Sequence, residues 1–187
     1  LALGIDALAH RGCLESGGCT VAVLGSSVDE VYPASNRGLA RRILGAGGSL
    51  VSEYPCGTGP RKWHFPQRNR IISGIARGTV IVEAPASSGA LHTARFALEQ
   101  GRDLFVASAG LVSSLGEGTR KLACEGCRVI SRAAEVLAEW GLDGAAIERD
   151  GGSRVHPGDA GMHPCGELKN VSYGSTLAES LRRELEV

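Results

Sequence analysis

The stretch Thr79-Val80-Ile81-Val82-Glu83-Ala84, with Ser87-Ser88-Gly89-Ala90-Leu91-His92-Thr93-Ala94 just after it, decides the fold. The first part is a run of strand formers. The second reads as a tight turn opening a helix near residues 90–100, with Leu91, Ala94 and Leu98 on one stripe. A strand passing through a Ser-Gly turn into an amphipathic helix is half of a βαβ unit. Working outward, the alternation repeats. Further strands are predicted at Thr20–Gly25, Leu50–Ser52, Asp103–Ala107 and Arg128–Ile130. Their near-continuous apolar character predicts burial on both faces, as in a parallel sheet. Asp6 is the predicted N-cap of a helix over about 7–16, and Ser35 of one containing Leu39, Ile43 and Leu44, stopped by Gly45, Gly47 and Gly48. Pro66 is the predicted first residue of a helix reaching about Arg77. Residues 117–124 and Ala133–Trp140 complete the pattern. The fold class is α/β, with a doubly wound, mostly parallel sheet. Ligands of such sheets bind beyond the C-terminal strand ends, here the loops after Leu24, Ser52, Ala84 and Ala107.

Composition agrees with one packed domain. The 187 residues carry 20 Lys+Arg and 20 Asp+Glu, with 43% hydrophobic and 21% charged residues. Those values exclude a disordered chain. No apolar run is long enough to span a bilayer. The start, Leu1-Ala2-Leu3-Gly4-Ile5-Asp6, lacks the basic region and cleavage site of a signal peptide. It also lacks an initiator Met, which predicts that the sequence begins inside a larger protein. Gly is abundant (27) and aromatic residues few (8), which suits tight strand-to-helix turns. Of the 20 basic residues, 17 are Arg, a choice that favours planar contacts with phosphate but also follows from coding bias. The six cysteines are scattered, and free thiols are the expectation. Cys124 and Cys127 have zinc-like spacing without a second pair, so no metal site is predicted. The predicted division is a domain over 1–140 and a Gly-rich acidic tail over 141–187, ending in a short helix from Thr176 to Glu186. The zero net charge splits accordingly. Residues 1–132 hold 15 basic and 10 acidic residues, whereas 133–187 hold 5 and 10.

Chemistry concentrates in residues 54–82, which contain no acidic residue in 29 positions. Arg61, Lys62, Arg68, Arg70 and Arg77 lie there, interleaved with Trp63, His64, Phe65 and Asn69. Cations bind phosphates and rings stack on bases, the combination that single-stranded nucleic acid needs. The equally weighted alternative is a solvated basic loop with Trp63 capping the core. Arg68 and Arg70, two apart, do not share a helical face, so one is expected to face a ligand and the other to pair inward, with Glu53 or Glu83. The turns at Ser88-Gly89 and Gly25-Ser26-Ser27 offer backbone N–H groups to an anion, a weak signal in either case. Neither is a dinucleotide fingerprint, no Walker lysine follows, and no cofactor is predicted. No nucleophile elbow is present. His10 reads as a core histidine bonded to Asp6. Glu53 and Glu83, both at strand ends, read as counter-charges for the arginines rather than as an acid/base pair.

In order and spacing over about residues 2–140, the chain resembles the DNA-processing protein A (DprA, or Smf) family. The carrying pieces are Gly4-Ile5-Asp6-Ala7-Leu8-Ala9-His10, Gly17–Gly25, Tyr32-Pro33 with Asn36, Ser52-Glu53, Phe65-Pro66-Gln67-Arg68-Asn69-Arg70-Ile71-Ile72-Ser73-Gly74, and Val82-Glu83-Ala84 leading to Ser88–Ala94. The resemblance implies an extended Rossmann-like fold, a homodimer, and cytoplasmic binding of single-stranded DNA without catalysis. It further implies protection of incoming strands in natural transformation and loading of the RecA recombinase. It places Lys62 and Arg70 on phosphate and Phe65 against a base. Arg61, Arg68, Asn69, Ser88 and Gly89 join or support the pocket. Family members carry an upstream strand and glycine-rich loop, so a chain starting at Leu1 is expected to lack the first piece of the sheet. Ala109-Gly110 stands where many members have Pro-Gly. The rival reading is a nucleotide-processing enzyme of the lysine decarboxylase-like phosphoribohydrolase type, whose glycine-rich signature is absent.

Overall fold

The computed structural model describes residues 1–142. The predicted tail, beyond Gly141 and Leu142, and its terminal helix lie outside the described residues. The elements run α1 (Ile5–Glu15), β1 (Val21–Val23), a 3-10 turn (Ala34–Asn36), α2 (Arg37–Gly45), β2 (Ser49–Val51), α3 (His64–Ile75), β3 (Gly78–Ile81), α4 (Gly89–Glu99), β4 (Asp103–Ala107), α5 (Ser108–Val112), α6 (Glu117–Cys124), β5 (Arg128–Ile130) and α7 (Ala133–Glu139). The α/β class and parallel strands are as the sequence predicts. Among the described residues the strands form two parallel ladders, β1-β2 and β3-β4-β5. Val23 lies opposite Val51, Ile81 opposite Val106, and Val106 opposite Val129. None of the described helices is long and apolar enough to cross a membrane.

Burial departs from the uniform expectation. Only β4 is buried on both faces, with Leu104, Phe105 and Val106 all at 0% exposure. Val21, Val51, Val80 and Val129, on the other strands, keep exposed side chains. The difference follows from what covers each face: Leu104 and Val106 of β4 pack on α4 and α6, and Phe105 packs on Val136 and Trp140 on the other side. One core packs Ile81, Ala84, Leu91, Ala94, Leu104, Val106 and Leu122 between the three-stranded sheet, α4 and α6. A second packs Ala7, Ala22, Leu24, Leu39, Ala40 and Ile43 under α1 and α2. On α2 it is Leu39, Ala40 and Ile43 that face the core, and Leu44 is exposed. A third, smaller cluster sets Phe105, Ile130 and Val136 against Trp140.

Several helix starts differ from the sequence reading because backbone geometry overrides cap preference. Gly4, at φ 79°, is the N-cap of α1, so Asp6 sits in the first turn and favours the positive end of the helix without capping it. Asn36, not Ser35, precedes α2. Its buried side-chain amide donates to Leu1 O at 2.9 Å, and its side chain accepts no hydrogen bond from the helix N–H groups. The helix α3 starts at His64, two residues before Pro66, and ends at Ile75 because Ala76 turns extended. His10 bonds Thr20 Oγ1 at 2.8 Å rather than Asp6. The unpredicted α5 exists because Gly110 permits it: a Cβ there would stand 2.0 Å from Val82 O. Arg77 lies over Trp140, its guanidinium 4.7 Å from the ring centroid, and so packs α7 against the end of α3 rather than facing a ligand.

Because Phe105 joins β4 to the α7 cluster, Phe105→Ala is expected to destabilise the domain by about 3–5 kcal/mol. Urea denaturation monitored by circular dichroism measures this; a loss under about 1 kcal/mol would refute the central placement of β4.

Candidate functional site

The C-terminal ends of β1 and β2 form the floor of the site. Beyond β1 the chain continues as Leu24-Gly25-Ser26-Ser27, and beyond β2 as Ser52-Glu53-Tyr54. The serines of the first turn are buried and occupied. Ser26 Oγ donates to Glu30 O at 2.6 Å, Ser27 Oγ donates to Thr58 O at 3.1 Å, and Ser52 Oγ donates to Ser26 O at 2.6 Å. These hydroxyls knit the loops together. The Ser27 N–H is also used, donating to Thr58 O at 2.9 Å, so the turn has a structural role.

The start of α3 is pressed onto this floor. His64 is buried, and its Nδ1 lies 3.0 Å from Gly25 O. A carbonyl only accepts, so the proton sits on Nδ1. The imidazole also stacks on Tyr54, centroid to centroid 3.9 Å at 20°, and the Tyr54 hydroxyl reaches Gln67 Oε1 at 3.1 Å. Burial, with Glu53 nearby, pushes the Tyr54 phenol up. Phe65 packs against Gly25, where a Cβ would come within 2.8 Å of its ring, so the contact requires glycine. Tyr32 meets Phe65 at 5.7 Å. Between them opens a cavity of about 270 Å³, lined by Leu1, Ala2, Leu3, Leu24, Gly25, Tyr32, Pro33, Phe65 and Arg68. The volume is at the small end of ligand pockets.

Arg68 sits at the bottom, 7% exposed. Its Nη1 donates to Val23 O in a short contact, and its Nε donates to Asn69 Oδ1 at 3.0 Å. Asn69 Nδ2 in turn donates to Gly89 O at 3.3 Å. Burial lowers the pKa of the guanidinium, and Asp6 opposes that shift. A buried guanidinium requires such acceptors to remain charged. Backbone alternation explains the contact. Leu24 N–H turns toward β2 and bonds Val51 O at 2.8 Å, so Val23 O turns to the other edge of β1, where Arg68 meets it. An arginine therefore completes this edge.

The other predicted residues divide. Arg70 pairs with Glu53, but at the surface and not inward, with side chains 49% and 41% exposed, while Arg68 is the arginine that turns inward. The alternative partner, Glu83, instead accepts the Ser113 hydroxyl and so is no counter-charge for these arginines. Arg61 and Lys62 are exposed just ahead of α3, and Arg61 lies 5.5 Å from the centroid of Trp63. The Trp63 ring is 57% exposed, so it does not cap the core. Ser88 caps α4, its hydroxyl accepting from Ala90 N–H at 3.2 Å, and Gly89 begins that helix beside Asn69. The structure thus brings Phe65, Arg68, Asn69, Ser88 and Gly89 into one chain of contacts, with Arg61 and Lys62 in the adjoining turn. Sequence reasoning omitted Tyr32 and Tyr54 from the site. Their signal was present, since Tyr54 lies in the loop three residues past the end of β2 and Tyr32 precedes a proline. Among the described residues, no three or more His, Cys, Asp or Glu side chains group to hold a metal ion. Cys127 is buried, and that burial pushes its thiol up to about 12.

Residues 1–141 match the family model for DNA recombination-mediator protein A. The chain is 41% identical over 140 residues to DNA processing protein DprA of Streptococcus pneumoniae, covering 75% of this chain and 49% of that protein. It is 42% identical over 137 residues to protein Smf of Escherichia coli, covering 73% and 37%. The X-ray structure of DNA processing protein A from Streptococcus pneumoniae superposes with a TM-score of 0.67 at 41% identity, covering 73% of this chain and 48% of that one. DNA processing protein A from Helicobacter pylori, described as having a unique single-stranded DNA binding mode, superposes at 0.61 with 27% identity, covering 74% and 62%. The chain therefore spans about half or less of the length of these two curated relatives.

The arginine assignments lead to opposite stability effects. Arg68→Leu strands Val23 O and Asn69 Oδ1 and is expected to cost about 2–4 kcal/mol in urea denaturation. Arg70→Gln removes only a surface pair and is expected to cost less than about 1 kcal/mol. Equal costs would refute the assignment.

Proposed function

The chain belongs to the DNA recombination-mediator protein A family, and on that premise we propose that it binds single-stranded DNA at the cavity between Tyr32 and Phe65, without chemistry, as a recombination mediator. The observation that carries this reading is the cavity itself. It joins aromatic walls to a buried guanidinium floor, with exposed cations in the turn ahead of α3, beyond the C-terminal ends of β1 and β2. A base stacks on Phe65 and Tyr32. Lys62 and Arg61 take the flanking phosphates. Arg68 and Asn69 act as positioning residues, holding Phe65 over Gly25 and α4 beside α3. Ser88 and Gly89 present the start of α4 to the strand.

Arg70 enters by exchange. In the free protein Glu53 holds it, and an incoming phosphate takes the place of the carboxylate. Both carboxylates at the strand ends are engaged, Glu53 by Arg70 and Glu83 by Ser113. The wider role is protection of incoming strands and their delivery to RecA, with a homodimer as the working unit in the cytoplasm. It rests on family membership alone.

Stacking on one aromatic residue contributes about 1–3 kcal/mol per base. Phe65→Ala is therefore expected to weaken oligo-dT binding at least about fivefold, and Lys62→Ala to weaken it and flatten its salt dependence by about 0.7 in log–log slope. Fluorescence anisotropy across a salt series reads both, and wild-type affinity in both variants would refute the site. Glu53→Gln, which frees Arg70, is expected to tighten the same binding. Unchanged or weaker binding would show that Arg70 takes no part.

A further inference from the structure

From Val31 to Val82 the chain contains eight basic residues and a single acid, Glu53. Five of the eight belong to the window of α3 described above. The other three, Arg37, Arg41 and Arg42, lie on α2. That helix turns Leu39, Ala40 and Ile43 into the core, and all three arginines are exposed. Among the described residues none of the three has an ion pair or a hydrogen-bond acceptor, whereas Arg70, Arg95, Arg128 and Arg132 each pair with a glutamate. Arg37 and Arg41 are four apart, one turn or about 6 Å of rise, and like charges at that spacing repel. Three unneutralised guanidinium groups on one short helix are a surface suited to a polyanion.

Position then selects the polyanion. Tyr32 and Pro33 line the cavity, the 3-10 turn Ala34–Asn36 follows, and α2 begins at Arg37. Asn36, next to Arg37, donates from its side chain to Leu1 O, on the cavity wall. A strand whose base fills the cavity and which leaves past Tyr32 meets Arg37 first. We infer that the outer face of α2 is a second phosphate-contacting surface, Arg37, Arg41 and Arg42, which continues the path of single-stranded DNA out of the cavity. The inference rests on the proposed binding of such DNA at the cavity and adds a direction and a length to it.

The test uses the full chain and two oligo-dT probes, one of about 6 nucleotides and one of about 20, which bracket the size of a single site. The variant Arg37→Gln/Arg41→Gln/Arg42→Gln is expected to bind the long probe at least about tenfold more weakly, with a salt slope shallower by about 2, and the short probe as the wild type does. Unchanged affinity and slope on the long probe, with Lys62→Ala still weakening both, would overturn this surface and leave the cavity standing. A wild-type chain that binds neither probe overturns both. Phenylglyoxal modification of the wild type covers a variant that does not fold. The long probe is expected to protect the three arginines and the short probe to leave them reactive. Equal modification with and without the long probe, or protection in its absence by the chain's own acidic residues, would refute the proposal.

Discussion

The site depends on the contact of one buried guanidinium with Val23 O. Burying a charge is costly unless acceptors meet it, and Arg68 is met by a strand carbonyl and by Asn69. The contact fixes more than itself. It closes the free edge of β1 and seats α3 across the ends of β1 and β2. Through Asn69 and Gly89 it also ties α3 to the start of α4. The two ladders of parallel strands have separate cores, and this polar chain is a link between them. Phe65 sits one turn before Arg68 on the same helix, so the ring's placement over Gly25 is set by how Arg68 docks.

Much of the fold was legible because burial and secondary structure obey short-range rules. The strands at 103–107 and 128–130 and the helix at 117–124 fall where apolar runs and turn residues put them. The stripe of Leu91 and Ala94 likewise faces the core. Helix starts were less legible. A glycine with positive φ at residue 4, and the attraction of the Asn36 amide to Leu1 O, depend on where other segments lie. The valines of β1, β2, β3 and β5 misled for a related reason: an apolar strand says that one face is buried and leaves the second to the neighbours.

The site was half legible. The acid-free window and the family motif both led to Phe65, Lys62 and the arginines. Residue type alone did not separate Arg68, Arg70 and Arg77, which have different fates. Arg68 bonds a buried carbonyl, Arg70 pairs with Glu53 in the open, and Arg77 lies on Trp140. Each fate is decided by a partner 17 or more residues away in sequence, beyond the reach of local spacing. Tyr32 and Tyr54 were absent from the predicted site for the same reason, since each becomes part of it only by contact with α3. The neutral net charge concealed the most functional asymmetry, a segment from Val31 to Val82 whose one acid is already paired.

The claim that the aromatic cavity receives a base is tested most directly by photocrosslinking. Oligo-dT carrying 5-iododeoxyuridine, irradiated with the full chain and mapped by mass spectrometry, reports which rings touch a base. Adducts on Tyr32, Phe65 or the adjoining Trp63 are the predicted result. Adducts confined to α5, α6 and α7, or evenly spread over the surface, would contradict it.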